Sequence, residues 1–283
     1  MRVPGKRQKG LSLIEMLVAL VIGAIIMAGV YRTFAVQKKS FVVQDEVSQA
    51  QQSVRAVMDL IARDIRMAGF GRPDWIGNSV TIASTKPANF TLVGAFSGSI
   101  ARLGSDANIG DTQITLDQNL VLSAGDDLLL FESDTSAPAL APPLRFTPVR
   151  VWTDTDQVVG SNVIDIDSDG STGGTRDSLG VMIRQDALVY RVETVTYSMN
   201  GTDLVRTGGG GNSGVLARNV HFDPSDGLLD FEIVNLYNPA VPETFGSYQI
   251  SLTIETRTND PDFISGVRTR TLTSTIQARN MST

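Results

Sequence analysis

The chain has 283 residues, which is enough for one large domain or two ordinary ones, each with a core of its own. Apolar residues make up 42% and charged residues 19%, so the chain is not a disordered acidic tail. The 24 Lys and Arg residues are outnumbered by 30 Asp and Glu residues, and the net charge of −6 argues against nucleic acid as the main partner. Cysteine is absent, which excludes disulfides, cysteine–zinc sites, iron–sulfur clusters and thiol catalysis. A Ser-His-Asp triad could be built only through the single histidine, His221.

The N-terminus combines a basic leader with a long apolar run. Residues 1–10 hold four basic side chains and no acid, and residues 11–31 hold a single charge, that of Glu15. A helix over 11–31 would span a hydrocarbon core of about 30 Å. The basic leader predicts that this end stays cytoplasmic while the rest of the chain crosses the membrane. A secretory signal peptide fits less well, because its apolar region is shorter and a small-residue cleavage site follows it.

Glu15 is the unusual residue of this segment. A carboxylate inside an apolar span is costly and is a functional candidate by default, although it could also be a tolerated charge that snorkels to the interface. The stretch Gly10-Leu11-Ser12-Leu13-Ile14-Glu15, after a short basic leader, resembles the class III signal of type IV prepilins. The resemblance implies that a membrane-bound prepilin peptidase cuts between Gly10 and Leu11 and methylates the new amine of Leu11. It also implies that Glu15 serves in assembly.

The chemistry of these residues agrees with that resemblance. Gly10 has no side chain, so an extended backbone can enter a protease cleft at this position. The amine of Leu11 and the carboxylate of Glu15 could pair between adjacent subunits, which would offset the burial cost of each charge. Such a pair would also fix the axial register of packed helices, as a filament requires.

The helix is predicted to continue well beyond the apolar run, over residues 32–69. No Pro or Gly occurs from 32 to 68, and Gly69, Gly71 and Pro73 then end the pattern. Apolar residues recur at spacings of three and four, which predicts an amphipathic helix packed on its own domain. That stripe consists of Val47, Ala50, Val54, Val57, Met58, Ile61, Ile65 and Ala68. Arg63 and Asp64 are assigned to the polar face, and one helix is expected over about 11–68.

The end of this helix carries a second resemblance. The segment from Met58 to Gly71, with its core Arg63-Asp64-Ile65-Arg66-Met67-Ala68-Gly69, is similar to PilW-type minor pilins. The J-type minor pseudopilins of type II secretion have a similar Arg-Asp pair. A hairpin pattern at 197–206 and the C-terminal stretch 276–280 resemble both groups.

Residues 70–283 are predicted to form a β-rich soluble domain. Alternation of apolar and polar residues predicts strands at 114–116, 128–131, 229–233, 248–257 and 272–276. Asn200-Gly201 is a strong turn signal between strands at 195–199 and 204–206. Loops are expected at 104–111, 134–143, 167–178 and 207–214. The fold class is therefore α+β and type IV pilin-like: a long N-terminal helix packed on an antiparallel domain of two sheets.

One metal site is suggested by the spacing of acidic residues. Asp165, Asp167 and Asp169 alternate and precede Gly170, which resembles the first half of an EF-hand-type Ca²⁺ loop. The twelfth position is Arg176 rather than Glu, and Asp177 beside it could substitute. The alternative is an acidic solvated turn stabilised by Asx hydrogen bonds.

The sequence favours a structural protein over an enzyme. No Gly-x-Ser-x-Gly, Walker, GxGxxG or HExxH motif is present, and His221 alternates with apolar residues as a strand histidine would. The first hypothesis is a minor pilin-like subunit of a type IV pilus, which primes assembly or lies near the tip. The alternatives are a type II secretion minor pseudopilin and a signal-anchored extracellular adhesin or hydrolase.

The resemblance also implies partners and a location. The partners would be prepilin peptidase, other minor and major pilins, the inner-membrane assembly platform and a tip adhesin. Before assembly the chain would cross the bacterial inner membrane once, with a cytoplasmic N-terminus and a periplasmic soluble domain. After assembly it would belong to a pilus or pseudopilus filament.

Overall fold

The fold consists of one long helix and many antiparallel strands. A computed structural model describes residues 13–72, 78–122, 125–133, 144–151, 159–167, 178–221, 230–238, 246–257 and 268–278. The helix, α1, covers Leu13–Met67, and a short 3₁₀ turn covers Gly209–Gly211. The strands are β1 (Val80–Thr85), β2 (Ala88–Gly94), β3 (Ala101–Arg102), β4 (Gln113–Val121), β5 (Asp127–Ser133), β6 (Leu144–Val151), β7 (Val159–Asp167), β8 (Leu188–Arg191), β9 (Glu193–Asn200), β10 (Asp203–Thr207), β11 (Ser213–Ala217), β12 (Phe231–Asn235), β13 (Ser247–Glu255) and β14 (Thr269–Gln277). All their pairings are antiparallel, which confirms the predicted α+β class.

The chain divides into two compact units. One comprises Met1–Ala50 with Thr256–Arg268, and the other comprises Gln51–Glu255 with Thr269–Thr283. The second unit holds the last part of α1 and every strand named above. The boundaries predicted at residues 10, 31 and 69 are finer than this division and stay predictions.

In the second unit, the amphipathic stripe of α1 is buried as its spacing predicts. Its side chains lie on one face because residues three and four apart are neighbours on a helix surface. The buried members of the stripe in this part of the chain are Val54, Val57, Met58, Ile61, Ile65 and Ala68. Ile61 and Ile65 have no exposed surface at all, so this side of the helix belongs to the protein core.

The predicted end of the helix is confirmed at Gly69. Its φ of 81° lies in the left-handed region that glycine adopts without strain, as is usual just past a helix C-terminus. The Gly69 amide donates to the carbonyl of Val93 at 2.8 Å, and the Ala95 amide donates to the carbonyl of Phe70 at 2.9 Å. The chain leaving the helix is therefore bonded directly to the end of β2.

The helix end meets a five-stranded sheet with the order β1-β2-β9-β10-β11. Phe90, Tyr197, Arg206 and Gly214 are successive partners across its strands, so they share one face of the sheet. The rings of Phe90 and Tyr197 stack with centroids 5.1 Å apart. The predicted hairpin is β9 and β10, with Gly201 in its turn at a φ of 61°.

A second sheet, inserted in the chain between β2 and β9, curls until its edges meet. Its order is β3-β8-β5-β6-β7-β4. A bridge between Leu103 and Leu116 joins the first strand region to the last, and the Gly104 amide donates to the Thr115 carbonyl at 2.8 Å. The result is a closed six-stranded barrel filled by side chains. Its core is apolar and includes Leu103, Ile114, Leu116, Leu128, Leu130, Val149, Ile164, Ile166 and Val189.

The prediction of two sheets was wrong. The described residues form three, because β12, β13 and β14 make a separate sheet. The ring of Phe231 in β12 lies 6.0 Å from that of Phe90 in β2, so aromatic packing joins this sheet to the five-stranded one. Most predicted strands coincide with observed ones, but β12 begins at Phe231, β13 ends at Glu255, and β11 begins within the loop predicted at 207–214. Alternation in a sequence also does not tell which strands pair.

Candidate functional site

The N-terminal part of α1 presents an apolar surface. Among the described residues, α1 is the one helix that is both long enough and apolar enough to cross a membrane. None of its most apolar 18-residue stretch is buried. Ile14, Leu17, Val18, Val21 and Ile22 line a shallow apolar depression along it. Side chains of this kind need lipid or another apolar surface around them.

Glu15 lies in the first turn of α1 and is exposed. A carboxylate at this end of a helix is favoured by the helix dipole, because the first amide groups carry partial positive charge. The predicted cleavage residues Gly10 and Leu11 lie outside the described residues. Cleavage, methylation and the assembly role of Glu15 therefore stay predictions.

Residues 5–31 match a family model, the prokaryotic N-terminal methylation motif. The match begins within the basic leader and covers the predicted cleavage position and the apolar run. This is the type IV prepilin-like signal, and it indicates a type IV pilin-like or pseudopilin precursor that prepilin peptidase processes. The motif and the apolar helix together indicate a membrane-anchored, pilin-type structural protein.

No curated protein and no solved structure shows a significant match to the chain. The family match itself ends at residue 31, well before the Arg63-Asp64 segment.

One buried polar contact of the β-rich part involves Asp64, and here the sequence assignment was wrong. Asp64 does not lie on the polar face of α1: it is 4% exposed and is buried with the apolar stripe. Its Oδ2 accepts a hydrogen bond of 2.6 Å from the Tyr197 hydroxyl and one of 2.9 Å from Nε of Arg206. These three residues join α1 to β9 and β10.

The spacing of the stripe could have located Asp64. It lies three residues after Ile61 and four before Ala68, which are both buried stripe positions. An acidic residue at an apolar position indicates a buried partner, since an unpaired buried carboxylate is very costly. What the sequence could not supply was the identity of the partners, which are more than 130 residues away along the chain.

The environment of this cluster shifts the pKa values of two of its members. Burial, together with the charge of Asp64 and the hydrogen bond to it, raises the pKa of Tyr197 far above its ordinary value. Burial lowers the pKa of Arg206, but the hydrogen bond to Asp64 and its charge outweigh that effect and raise it. The phenol and the guanidinium therefore both keep their protons, and the Asp64 carboxylate keeps both donors.

An open groove lies beside this cluster. It has a volume of about 480 Å³ and lies between α1 and the edge strand β11. Its lining comprises Leu60, Arg63, Asp64, Phe96, Arg206, Asn212, Ser213, Gly214 and Leu216. Two arginines and three large apolar side chains thus converge on one concave surface.

His221 belongs to a separate ionic cluster. It directly follows a single β-bridge between Val220 and Ile254, rather than lying in a strand as expected. Its Nδ1 contacts Oε1 of Glu255, and its Nε2 lies 3.7 Å from Oδ1 of Asp230. Lys86 adds an ion pair to Asp230 at 3.3 Å. This cluster links the β1–β2 turn to β12 and β13.

The predicted Ca²⁺ site is only partly within the described residues. Asp169, Asp177 and the side chain of Asp167 lie outside them. Asp165 lies in β7, where its Oδ1 accepts a hydrogen bond of 2.7 Å from Nε2 of Gln113. The described residues hold no group of three or more potential metal-binding side chains. Ca²⁺ binding stays a prediction.

Proposed function

We propose that the protein is a minor pilin of the PilW type. It is cleaved between Gly10 and Leu11, methylated on Leu11 and incorporated into a type IV pilus, where it primes assembly or lies near the tip. Before assembly it is anchored in the inner membrane, with its N-terminus in the cytoplasm and its β-rich domain in the periplasm. Its partners are prepilin peptidase, the assembly platform and other pilins.

One observation carries the proposal. The methylation motif at residues 5–31 runs directly into a 55-residue helix whose apolar first part is covered by none of the residues that the structure describes. Lipid can cover that surface before assembly, and the helices of other subunits can cover it in a filament. A helix that only anchored the protein would need about 20 residues for the bilayer.

The minor role rests on other features. Residues 70–283 form a large domain for a repeating subunit, and the resemblance of 58–71 and 197–206 is to minor pilins. The contacts of Asp64 support a structural role for that segment, because they fix the end of α1 on the sheet. A subunit built in this way would hold its β-rich domain firmly at the filament surface.

The assembly role of Glu15 can be tested by substitution. We expect Glu15→Ala to reach the membrane normally but to be recovered from sheared filaments at a much lower level, because the Leu11 amine loses its partner. Asp59→Ala is the matched control, since Asp59 is an exposed acid of the same helix. Equal recovery of the Glu15 variant and the wild type would refute the role.

Two further measurements test whether the leader is cleaved and whether the protein serves a type IV pilus or type II secretion. Mass spectrometry of the membrane-extracted protein should show a methylated Leu11 terminus, whereas an intact 1–10 leader would refute processing as a prepilin. Deletion of the gene should reduce piliation and leave exoprotein secretion intact. The opposite phenotype would identify a type II secretion pseudopilin instead, and would contradict the pilus assignment.

A further inference from the structure

The groove beside α1 is bounded by an open strand edge. In the five-stranded sheet, β11 is paired with β10 on one side and is the last strand of the sheet in the part of the chain that is described. Every second residue of such an edge strand directs its amide and carbonyl groups away from the sheet. Ser213, Gly214 and Val215 of this strand are all exposed. The edge therefore offers backbone donors and acceptors to an added strand.

The side chains across the sheet lead into the groove. Phe90, Tyr197 and Arg206 occupy successive positions on one face, and Gly214 is the next partner beyond Arg206. Gly214 has no side chain, and a Cβ placed on it would meet no atom of the described residues within 4 Å. Beyond Gly214 this face of the sheet therefore opens into free space. A strand added to β11 would place every second side chain in that space.

The charges of the groove select the kind of side chain that fits there. Arg63 is exposed and forms no ion pair with any residue that the structure describes. The side chain of Arg206 is 27% exposed. Arg206 and Tyr197 both donate hydrogen bonds to Asp64. A guanidinium prefers a carboxylate, which it can bind through two parallel hydrogen bonds. Leu60, Phe96 and Leu216 provide apolar contacts on the same surface.

We propose that β11 and this groove bind an extended segment of a partner protein by strand addition. The segment pairs with the backbone of β11 and places an acidic side chain against Arg63, with apolar side chains two residues to either side of it. This surface is a binding site in addition to the assembly role of the N-terminal helix. A second copy paired edge to edge is a poorer occupant, because β11 (Ser213–Ala217) has no acidic side chain to place against Arg63.

A synthetic peptide provides the probe. The full chain in detergent is titrated with the peptide Thr-Val-Thr-Glu-Thr-Val-Thr-amide, which carries fluorescein on its N-terminal amine, and binding is followed by fluorescence anisotropy. We expect saturable binding, and slower amide exchange in Ser213–Ala217 when the peptide is bound. Replacing the peptide Glu by Lys should weaken binding by about tenfold or more, as loss of one charge-assisted hydrogen bond predicts.

Three variants make the test specific. Arg63→Glu should weaken binding of the peptide with Glu and strengthen binding of the peptide with Lys. A variant with a damaged fold would not show this reversal. Gly214→Leu fills the groove and should abolish binding, whereas Gly180→Leu should not, since Gly180 also faces open space but lies in the barrel region. All three variants should keep the wild-type melting temperature.

The proposal of strand addition at β11 is contradicted if the peptide shows no saturable binding, or if the Glu and Lys peptides bind equally well. Binding that survives Gly214→Leu would place the peptide elsewhere. Dimerisation of the chain that Gly214→Leu abolishes would show that a second copy occupies the edge, contrary to the proposed occupant.

Discussion

The carboxylate of Asp64 and the hydroxyl of Tyr197 lie 2.6 Å apart, at a point where both side chains are almost completely buried. Asp64 comes from the last turns of α1, and Tyr197 from the middle of β9. Because hydrogen bonds to charged groups are shorter and stronger than neutral ones, this contact is well suited to hold the helix on the sheet. Arg206 supplies the countercharge, so the carboxylate is not buried alone.

Tyr197→Phe should therefore destabilise the protein by about 1–3 kcal/mol, because it removes the donor and keeps the ring. The ring stacking with Phe90 should persist, so the loss reports the hydrogen bond rather than a cavity. The measurement is urea unfolding of wild type and variant at neutral pH. Tyr237→Phe is the control, since Tyr237 is 47% exposed and should change stability by less than about 0.5 kcal/mol. An equal effect of the two substitutions would contradict the assigned role.

The same tyrosine should make the protein sensitive to alkali. Burial and Asp64 raise the pKa of Tyr197 above its ordinary value of 10.0. Below about pH 10 the folded and unfolded chains both keep the proton, so its contribution to stability is complete. Above that pH the unfolded chain releases the proton while the folded chain keeps it, and the free energy of unfolding falls by about 1.4 kcal/mol per pH unit.

In the Tyr197→Phe variant, the free energy of unfolding should fall less steeply as the pH rises above about 10. Burial also raises the pKa of Tyr248, but Tyr248 is present in both proteins and contributes equally to both. The measurement is unfolding by urea at several pH values from about 9 to about 11. Parallel curves for wild type and variant would mean that Tyr197 ionises normally in the folded chain.

Local patterns predicted the local structure well. The stripe from Val54 to Ala68, the end of the helix at Gly69 and the turn at Gly201 are all as expected, because each depends on neighbours in the sequence. The Asp64 partners and the bridge from Leu103 to Leu116 were not predicted, because they depend on which distant segments meet. At the candidate site, the N-terminal motif was predicted, because residues 5–31 carry the signal without any tertiary contact. The burial of Asp64 could also have been inferred from its spacing, but its distant partners could not.

The junction between α1 and β2 gives a prediction about Gly94. A Cβ at this position would lie 2.8 Å from the carbonyl oxygen of Met67, which is backbone and cannot rotate away. Gly94→Ala should therefore destabilise the protein by about 1–3 kcal/mol, as overpacking of a fixed site does. Gly98→Ala is the matched control, because no atom in the described part of the chain lies within 4 Å of its added Cβ. Thermal unfolding of both variants is the measurement, and equal melting temperatures would contradict the close approach.

The Ca²⁺ prediction can be tested directly on the detergent-solubilised chain. If Asp165, Asp167 and Asp169 bind the ion, adding Ca²⁺ to a chelated sample should raise the melting temperature, because a ligand that binds only the folded state stabilises it. Asp167→Ala should remove the shift, while Asp203→Ala, an acid of β10, should leave it. If Ca²⁺ leaves the melting temperature of the wild type unchanged, the prediction of a Ca²⁺ site is wrong.

Closure of the barrel depends on Gly104, where β3 approaches β4. A Cβ on Gly104 would lie 2.9 Å from the carbonyl oxygen of Leu116, next to the hydrogen bond from the Gly104 amide to Thr115. Gly104→Ala should push these segments apart, which destabilises the protein by about 1–3 kcal/mol and opens the seam. Hydrogen exchange should then speed up at the Gly104 amide before the five-stranded sheet is affected. Gly180→Ala, whose added Cβ meets no atom of the described ranges within 4 Å, should leave exchange at the seam unchanged. If Gly104→Ala also left that exchange unchanged, the seam would not be closed by this contact.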